Sequence, residues 1–333
     1  MDNCPKEILL KIFSLACADD GSSARSLSLV SRYIHDASKP VSLQSVCCHN
    51  PTQIISFARH LDGISPHERV VRHLFISTYS PPPRTGEATR HTSLISVFQG
   101  ITVIICPTHP TDRTLSEPTR LPPRMDNAIH AAILRILEMI APMLRTLSFA
   151  VDWSPWLHLP LPASLPALVE LSIQHHSACG NLRCEALNTL KSAPLLHRLI
   201  LTGFYGVVDP HAVLGVIKGF SPSLGYIYVP LEPGNVLPLI NEMVVAMKRE
   251  SIYPDRDNCR VFPETLEGLF VEGCKVMWAD HERCSNLLKD SPRVFCKQRP
   301  WQWEGAGRMH SHWLARLEGE DGYWSTDNRI KGI

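Results

Sequence analysis

The feature that most constrains this chain is a short motif that occurs four times between residues 142 and 230. Each copy reads Pro-x-Leu-x-x-apolar-x-apolar, and the copies begin at Pro142, Pro166, Pro194 and Pro222. Their starts are 24, 28 and 28 residues apart. About one such match is expected by chance in a chain of this composition. Four matches at nearly constant spacing indicate a solenoid, in which each unit buries its apolar face against its neighbours.

Each unit is predicted to contain one strand and one helix. Proline ends the preceding helix and favours extended backbone after it, and the alternation that follows sends successive side chains to opposite sides. In the second copy Leu171 and Ile173 are predicted to point inward, and Glu170 and Ser172 outward. Apolar residues at helical spacing predict the helices. These predicted helices cover residues 52–61, 125–141, 210–220, 236–248 and 278–288.

The repeats resemble irregular leucine-rich repeats, although the Asn that many such repeats carry three residues after the last apolar position is absent here. Segments with the apolar part of the motif alone, at 43–48, 71–76, 101–106 and 266–271, are candidates for further units. The sequence therefore predicts an α/β solenoid over residues 41–290, with its clearest units at 142–230.

If the units stack, the outward strand positions form a concave ribbon. Exposed aromatic residues beside an Arg are typical of protein interfaces, so this ribbon is a candidate surface for a protein target. Its candidate target-binding residues are Arg198, Tyr226, Tyr228 and Phe270. An alternative stays open: the long Pro-rich loops at 80–93 and 107–123 fold over this side and bury the rings.

Residues 1–40 form a separate helical head in this interpretation. Apolar residues from Ile8 to Ala16 lie on one broad face of a helix that begins near Pro5. A second helix is predicted to carry Leu27, Val30, Ile34 and Ala37 on one face and to end at Pro40. Two such short helices need a partner surface, in this chain or in another protein.

Two segments of the head carry a family resemblance. Cys4-Pro-Lys-Glu-Ile-Leu-Leu-Lys-Ile-Phe13 followed by Leu29-Val-Ser-Arg-Tyr33 resembles an F-box, with Cys4 where that family usually has Leu. The whole chain resembles the fungal type of protein that joins an F-box-like head to irregular leucine-rich repeats. The resemblance implies docking on the Skp-type linker protein of a cullin-RING ubiquitin ligase. The contact residues it implies are Cys4, Pro5, Ile8, Leu9, Ile12 and Val30. A head that only caps the first unit is the alternative.

The tail, residues 291–333, contains four of the seven tryptophans and is predicted to cover the apolar end of the last unit. His310 and His312 within it are interpreted as surface residues. His175, His176, Cys179 and Cys184 are the best metal candidate, but surface histidines with a half-buried cysteine pair are the favoured interpretation. We therefore expect no metal and no cofactor.

Charge and composition exclude other classes of function. The net charge of +1 provides no basic surface for nucleic acid or an anionic membrane, and no apolar run approaches twenty residues. The eleven scattered cysteines and the absence of an Asn-x-Ser/Thr sequon favour reduced thiols in the cytoplasm or nucleus. No serine-hydrolase, phosphate-loop or zinc-protease motif is present, so we do not expect an enzyme.

These observations predict a substrate-recognition adaptor of a cullin-RING ubiquitin ligase. The head would bind the linker and cullin complex, and the repeats would bind a protein target that the sequence does not identify. The alternative is a leucine-rich-repeat-like interaction module without a role in a ubiquitin ligase.

Overall fold

The central element of the computed structural model is a sheet of eight parallel strands that follow one another in chain order. The structure describes residues 4–78, 96–98, 101–103, 123–151, 161–175, 192–202, 223–231, 265–274, 294–299 and 305–320, with Val245 and Trp324. In chain order the strands are β1 (Ser45–Cys48), β2 (His73–Ser77), β3 (Ser96–Phe98), β4 (Ile101–Val103), β5 (Thr146–Val151), β6 (Glu170–His175), β7 (Arg198–Thr202), β8 (Tyr226–Leu231), β9 (Gly268–Cys274) and β10 (Val294–Arg299). β3 and β4 form a separate antiparallel pair.

The four motif copies lie side by side in the sheet. Leu147, Leu171, Leu199 and Ile227 are successive register partners on β5 to β8, as their shared motif position predicts. The same row extends to Leu74 on β2 and Leu269 on β9. All six side chains of this row are fully buried. The mixed α/β class is therefore confirmed, and one inward position of each strand contributes to a continuous core.

A repeated hydrogen-bond joint connects successive strands of the sheet from β1 to β9, leaving aside the separate pair of β3 and β4. The Arg145 carbonyl accepts the N–H groups of both Val169 and Glu170, which begin β6. The Val169 carbonyl then accepts those of His197 and Arg198, which begin β7. The same arrangement links β1 to β2, β2 to β5, β7 to β8 and β8 to β9. One carbonyl thus accepts two backbone N–H groups at each of these steps, and the starts of successive strands stay aligned.

The motif at 101–106 behaves differently. The prediction that it forms a further unit is wrong for the residues described, because Ile101–Val103 pairs with Ser96–Phe98 outside the main sheet. Only two residues separate these strands, which suits an antiparallel pair, whereas a parallel pair needs a longer crossover.

Two helices cover one side of the sheet, as predicted. α4 (Pro51–Asp62) begins at Asn50, whose side chain accepts the Gln53 N–H, and α5 (Pro123–Ile140) leads into β5. The apolar sides of both helices pack on the inward row of the sheet. The helices predicted at 210–220, 236–248 and 278–288 lie outside the described residues, apart from Val245.

The head consists of three helices where two are predicted. They are α1 (Lys6–Ala16), α2 (Ser22–Ser28) and α3 (Arg32–Ser38). The prediction of one continuous second helix is wrong because Ser31 begins a new helix, its side chain accepting the Ile34 N–H at 3.2 Å. The break turns Val30 away from the buried side on which Ile34 and Ala37 lie.

A last helix, α6 (Gly305–Leu317), covers the other side of the sheet over β2 and β5. The tail is predicted to cover the end of the last unit, but Trp313 and Trp324 instead pack on outward strand positions. Bulky outward residues such as Phe75 and Tyr228 offer apolar area on this side, and burying that area explains why Trp313 and Trp324 pack there. The tail also supplies β10, so the sheet extends beyond residue 290.

Candidate functional site

The outer surface of the head is the largest group of exposed apolar residues that the structure describes. Eight large hydrophobic residues are exposed in the described part of the chain, and six of them belong to the head. We call these six the head face: Ile8, Ile12, Leu15, Leu29, Val30 and Tyr33. An isolated exposed apolar residue needs no explanation, but a concentration of this kind marks an interaction surface.

Helical geometry explains why half of the head face forms one stripe. Ile8, Ile12 and Leu15 are spaced by four and three residues, so they lie on the same side of α1. The adjacent side of α1 carries Leu9 and Phe13, which are buried against α3. α1 is therefore apolar on two sides, and α3 covers the one that carries Leu9 and Phe13.

The residues implied by the F-box resemblance divide between these two sides. Ile8, Ile12 and Val30 are about half or more exposed, at 49%, 51% and 66%, and Pro5 is exposed as well. Leu9 is 3% exposed and Cys4 packs against the head core. Leu9 fills the space between α1 and α3 and is not on the surface of the head, so its role as a contact residue stays a prediction.

Hydrogen bonds attach the head to the first strand of the sheet. The Ser14 hydroxyl donates to Gln44 Oε1 at 2.6 Å, and Gln44 Nε2 donates to the Ser14 carbonyl at 2.9 Å. The Ser45 hydroxyl donates to the Asp19 carbonyl. Gln44 and Ser45 are both buried, so these bonds satisfy polar groups that would otherwise destabilise the junction.

The outward strand positions form a second candidate surface, which is covered. We call it the covered face and define it by the positions on the α6 side of the sheet: Phe75, Ser148, Ser172, Ile200, Tyr228 and Phe270. All six are buried. Trp324 packs on Ile200, Tyr228 and Phe270, and Trp313 packs on Phe75. This side of the sheet is therefore covered, as in the alternative interpretation of the sequence. Trp313 and Trp324, which cover it, belong to the tail and not to the Pro-rich loops.

The four residues predicted to bind a target differ in how far the tail buries them. Tyr228 and Phe270 are 1% and 2% exposed, so the expectation that their rings are exposed is wrong. Tyr226 and Arg198 keep partial exposure, and the Arg198 guanidinium lies over the Trp324 ring at 5.9 Å from its centroid. Sequence alternation identifies outward positions correctly but does not show what lies above them.

A buried carboxylate joins the tail to the sheet. Glu170 on β6 is within 3.7 Å of Arg198 Nη1, and Arg316 of α6 donates to it through Nε at 3.3 Å. Burial raises the pKa of Glu170 above its usual value, and the guanidinium groups of Arg316 and Arg198 counter part of that rise. The ion pairs therefore offset only part of the desolvation cost of this carboxylate.

A cluster of metal-ligand type lies at the edge of the covered face. Cys47 Sγ on β1 is 3.1 Å from His49 Nε2, and the ligand atoms of Cys47, His49 and His310 all lie within 4.8 Å of one another. His310 and His312, which are interpreted as surface residues from the sequence, are both half-buried, and the His310 ring packs against His49 and Trp313. Cys47 and His310 are far apart in sequence, so no local spacing motif could have identified the cluster. In the other candidate set, His176, Cys179 and Cys184 lie outside the described residues.

Burial shifts the titration of this cluster toward uncharged forms. It raises the pKa of the Cys47 thiol far above its ordinary value, with smaller contributions from Cys48 and Asp20. Burial also lowers the pKa of His49, and the Asp20 carboxylate opposes that effect. Without a bound cation, Cys47 is therefore a thiol and His49 a neutral imidazole at neutral pH.

Comparisons of the chain with protein-family models, with the curated proteins and with the solved structures find no match. Among the residues that the structure describes, no helix combines the length and the apolar character needed to cross a bilayer.

Proposed function

We propose that this protein is a substrate-recognition adaptor whose head docks on the Skp-type linker protein of a cullin-RING ubiquitin ligase. The observation that carries the proposal is the head face. Ile8, Ile12 and Val30, which the F-box resemblance assigns to the linker contact, belong to the exposed apolar residues of the head. Full burial of one such side chain stabilises a complex by about 1.5–3 kcal/mol relative to leaving it in water.

We also propose that residues 41–290 form an irregular leucine-rich-repeat-like solenoid that holds the target. Parallel strands in chain order, one continuous row of inward side chains and an identical joint at each step all support this architecture. For the target contact we keep Arg198 and Tyr226, which retain exposure. Tyr228 and Phe270 become available only if Trp324 leaves the covered face.

A binding experiment with purified linker protein tests the docking role. The double variant Ile8→Asp with Ile12→Asp places two charges on the exposed stripe of α1 and leaves Leu9 in the head core. We expect linker binding to weaken by at least about 100-fold, because a charge at a buried interface position costs at least about 2 kcal/mol. Circular dichroism of the variant checks that the helices are retained.

Leu195→Asp is the matched control. Leu195 is 55% exposed, so the substitution makes the same chemical change on an exposed apolar residue outside the head. We expect this variant to bind the linker as the wild type does. Equal binding by the wild type and the double variant would show that the head face is not the docking surface.

The second candidate function is an interaction module without a ubiquitin-ligase role. The hydrogen bonds of Ser14, Gln44 and Ser45 support it, because they make the head a cover for the first strand of the sheet. Failure of the purified wild-type protein to bind the linker at micromolar concentrations would favour this module over the adaptor.

A further inference from the structure

The geometry points to a zinc site formed by Cys47, His49 and His310, which fastens the C-terminal helix α6 to the first strand of the sheet. The site is independent of the docking role proposed for the head. One thiolate and two imidazoles are a ligand set typical of Zn²⁺, and three protein ligands leave a fourth coordination position.

The fold brings the three ligands together from distant parts of the chain. Cys47 is the register partner of Phe75, which places both on the α6 side of the sheet. His49 follows two residues later, at the point where β1 ends. α6 crosses above β2 and β5 and carries His310 between Met309 and Trp313, which pack on Phe75. β1 and its end therefore supply two of the ligands, and α6 supplies the third.

The distances suit tetrahedral coordination. Zn–S and Zn–N bonds of about 2.3 and 2.0–2.1 Å place tetrahedral S and N ligands about 3.5 Å apart and two N ligands about 3.4 Å apart. Cys47 Sγ lies 3.1 Å from Nε2 of His49, the nearer ring nitrogen, so the imidazole has to turn to direct the lone pair of that nitrogen at an ion shared with the thiolate. The largest separation in the cluster is at most 4.8 Å, so a shift of about 1 Å closes the set around an ion.

The surroundings of the cluster favour a bound cation over a purely aromatic contact. His310 stacks on Trp313 with an angle of 22° between the rings, which fixes the plane of the imidazole. His49 meets His310 edge-on, with centroids 4.7 Å apart. Packing against neighbouring rings fixes the orientation of the two imidazoles and so preorganises their nitrogens for an ion. The apolar neighbours limit competition from water. Metal binding releases one proton from the Cys47 thiol to solvent and involves no redox change.

A bound zinc ion at this site would affect the covered face, because α6 lies over it. A metal bond between His310 and the Cys47–His49 pair would hold α6 against β2 and β5. Loss of the metal would release this attachment and leave apolar packing and the Arg316–Glu170 contact to hold the helix.

Metal titration of the full-length protein tests the site. Protein stripped with a chelator and dialysed is titrated with Zn²⁺ against a chromophoric competitor, and with Co²⁺ as a spectroscopic probe. We expect one ion per chain, with a thiolate-to-cobalt charge-transfer band in the near ultraviolet and d–d bands of a tetrahedral site in the visible region. A protein that binds no stoichiometric metal would overturn the inference.

Single substitutions locate the ion. Cys47→Ser should abolish the charge-transfer band, and His310→Asn should weaken binding by more than about 100-fold, since even the loss of an outer-shell partner costs 10- to 100-fold. His49→Gln provides a third ligand variant if one of the others fails to fold. His312→Asn is the control on the same helix, and we expect it to bind the ion with wild-type affinity.

A second measurement separates this site from zinc held elsewhere. One zinc ion per chain that persists by elemental analysis in the folded Cys47→Ser, His310→Asn double variant would place the metal at other residues and overturn the assignment. Limited proteolysis of the stripped protein should cut near α6 faster than in the zinc-loaded protein, whereas equal rates would contradict the fastening role.

Discussion

The head face and the covered face differ in a way that the sequence does not show. The head face consists of large apolar residues, and four of the six residues of the covered face are large apolar or aromatic residues as well. The covered face is packed under α6 and Trp324, whereas the head face has no cover among the residues that the structure describes. The comparison shows that a position pointing away from one core is not by itself a binding surface. Its availability depends on whether another segment of the chain reaches it.

The largest expected effect on the free energy of unfolding comes from removing an aromatic ring of the covered side, and an exposed residue of the head provides the comparison. Trp313→Ala removes a ring that is 4% exposed and packs on Phe75, so we expect the free energy of unfolding to fall by about 3–5 kcal/mol. Leu29→Ala removes a side chain that is 81% exposed and should change it by less than about 0.5 kcal/mol. Urea unfolding measures both. Similar losses in the two variants would mean that the two faces are not differently covered.

A smaller effect on stability comes from His73, a half-buried histidine on the covered side of the sheet. Burial, with Arg145 and Arg72 nearby, lowers the pKa of His73 from 6.5 to about 4. Because the folded pKa is the lower one, this residue contributes stability above pH 6.5 that is lost as the pH falls toward 4. The loss is at most about 3 kcal/mol. The head face carries no titratable group of this kind, since five of its six residues are aliphatic and the sixth is Tyr33.

The His73→Gln variant isolates this contribution. The variant lacks the titration, so the stability difference between wild type and variant should shift toward the variant between pH 6.5 and 4. Other histidines are common to both proteins, and their contributions cancel in the difference. Denaturant unfolding at several pH values measures the shift, and a difference that stays constant with pH would contradict the assigned pKa.

The smallest effect on stability comes from Glu170, and its pH dependence has the opposite sign to that of His73. Burial raises the pKa of this carboxyl, so its ionised form costs stability above the folded pKa, and the cost is relieved as the pH falls through that value. Glu170→Gln should therefore be as stable as the wild type at pH 8 or more stable, by no more than about 1 kcal/mol. The difference should shrink in acid. A clear loss of stability at pH 8 would show that Arg198 and Arg316 depend on the charge of Glu170.

The periodic parts of the fold could be predicted because period-two alternation is a local property. Leu147, Leu171, Leu199 and Ile227 are aligned in the sheet, as their motif position predicts. The break at Ser31 was not predicted, because apolar spacing continues across it and only the side-chain cap shows where a new helix begins. Local rules describe the strands well and the junctions between helices less well.

The candidate sites were predicted less completely than the strands. Ile8, Ile12 and Val30 are exposed, as a docking residue must be, but Leu9 is not. Both sides of α1 are apolar, and the sequence does not show which side α3 covers. The cluster of Cys47, His49 and His310 depends on the long-range placement of α6, which no motif within the tail encodes.

The repeated carbonyl joint has a consequence for how this chain can change in length. Each joint presents the same acceptor to the same pair of donors, so any two strands from the series are interchangeable at their starts. Deleting or duplicating one whole period, such as residues 170–197, leaves a matched acceptor and donor pair at the new boundary. A deletion of one residue fewer would misalign every inward side chain of that strand. The architecture therefore tolerates growth or loss by complete modules far better than by fractions of one.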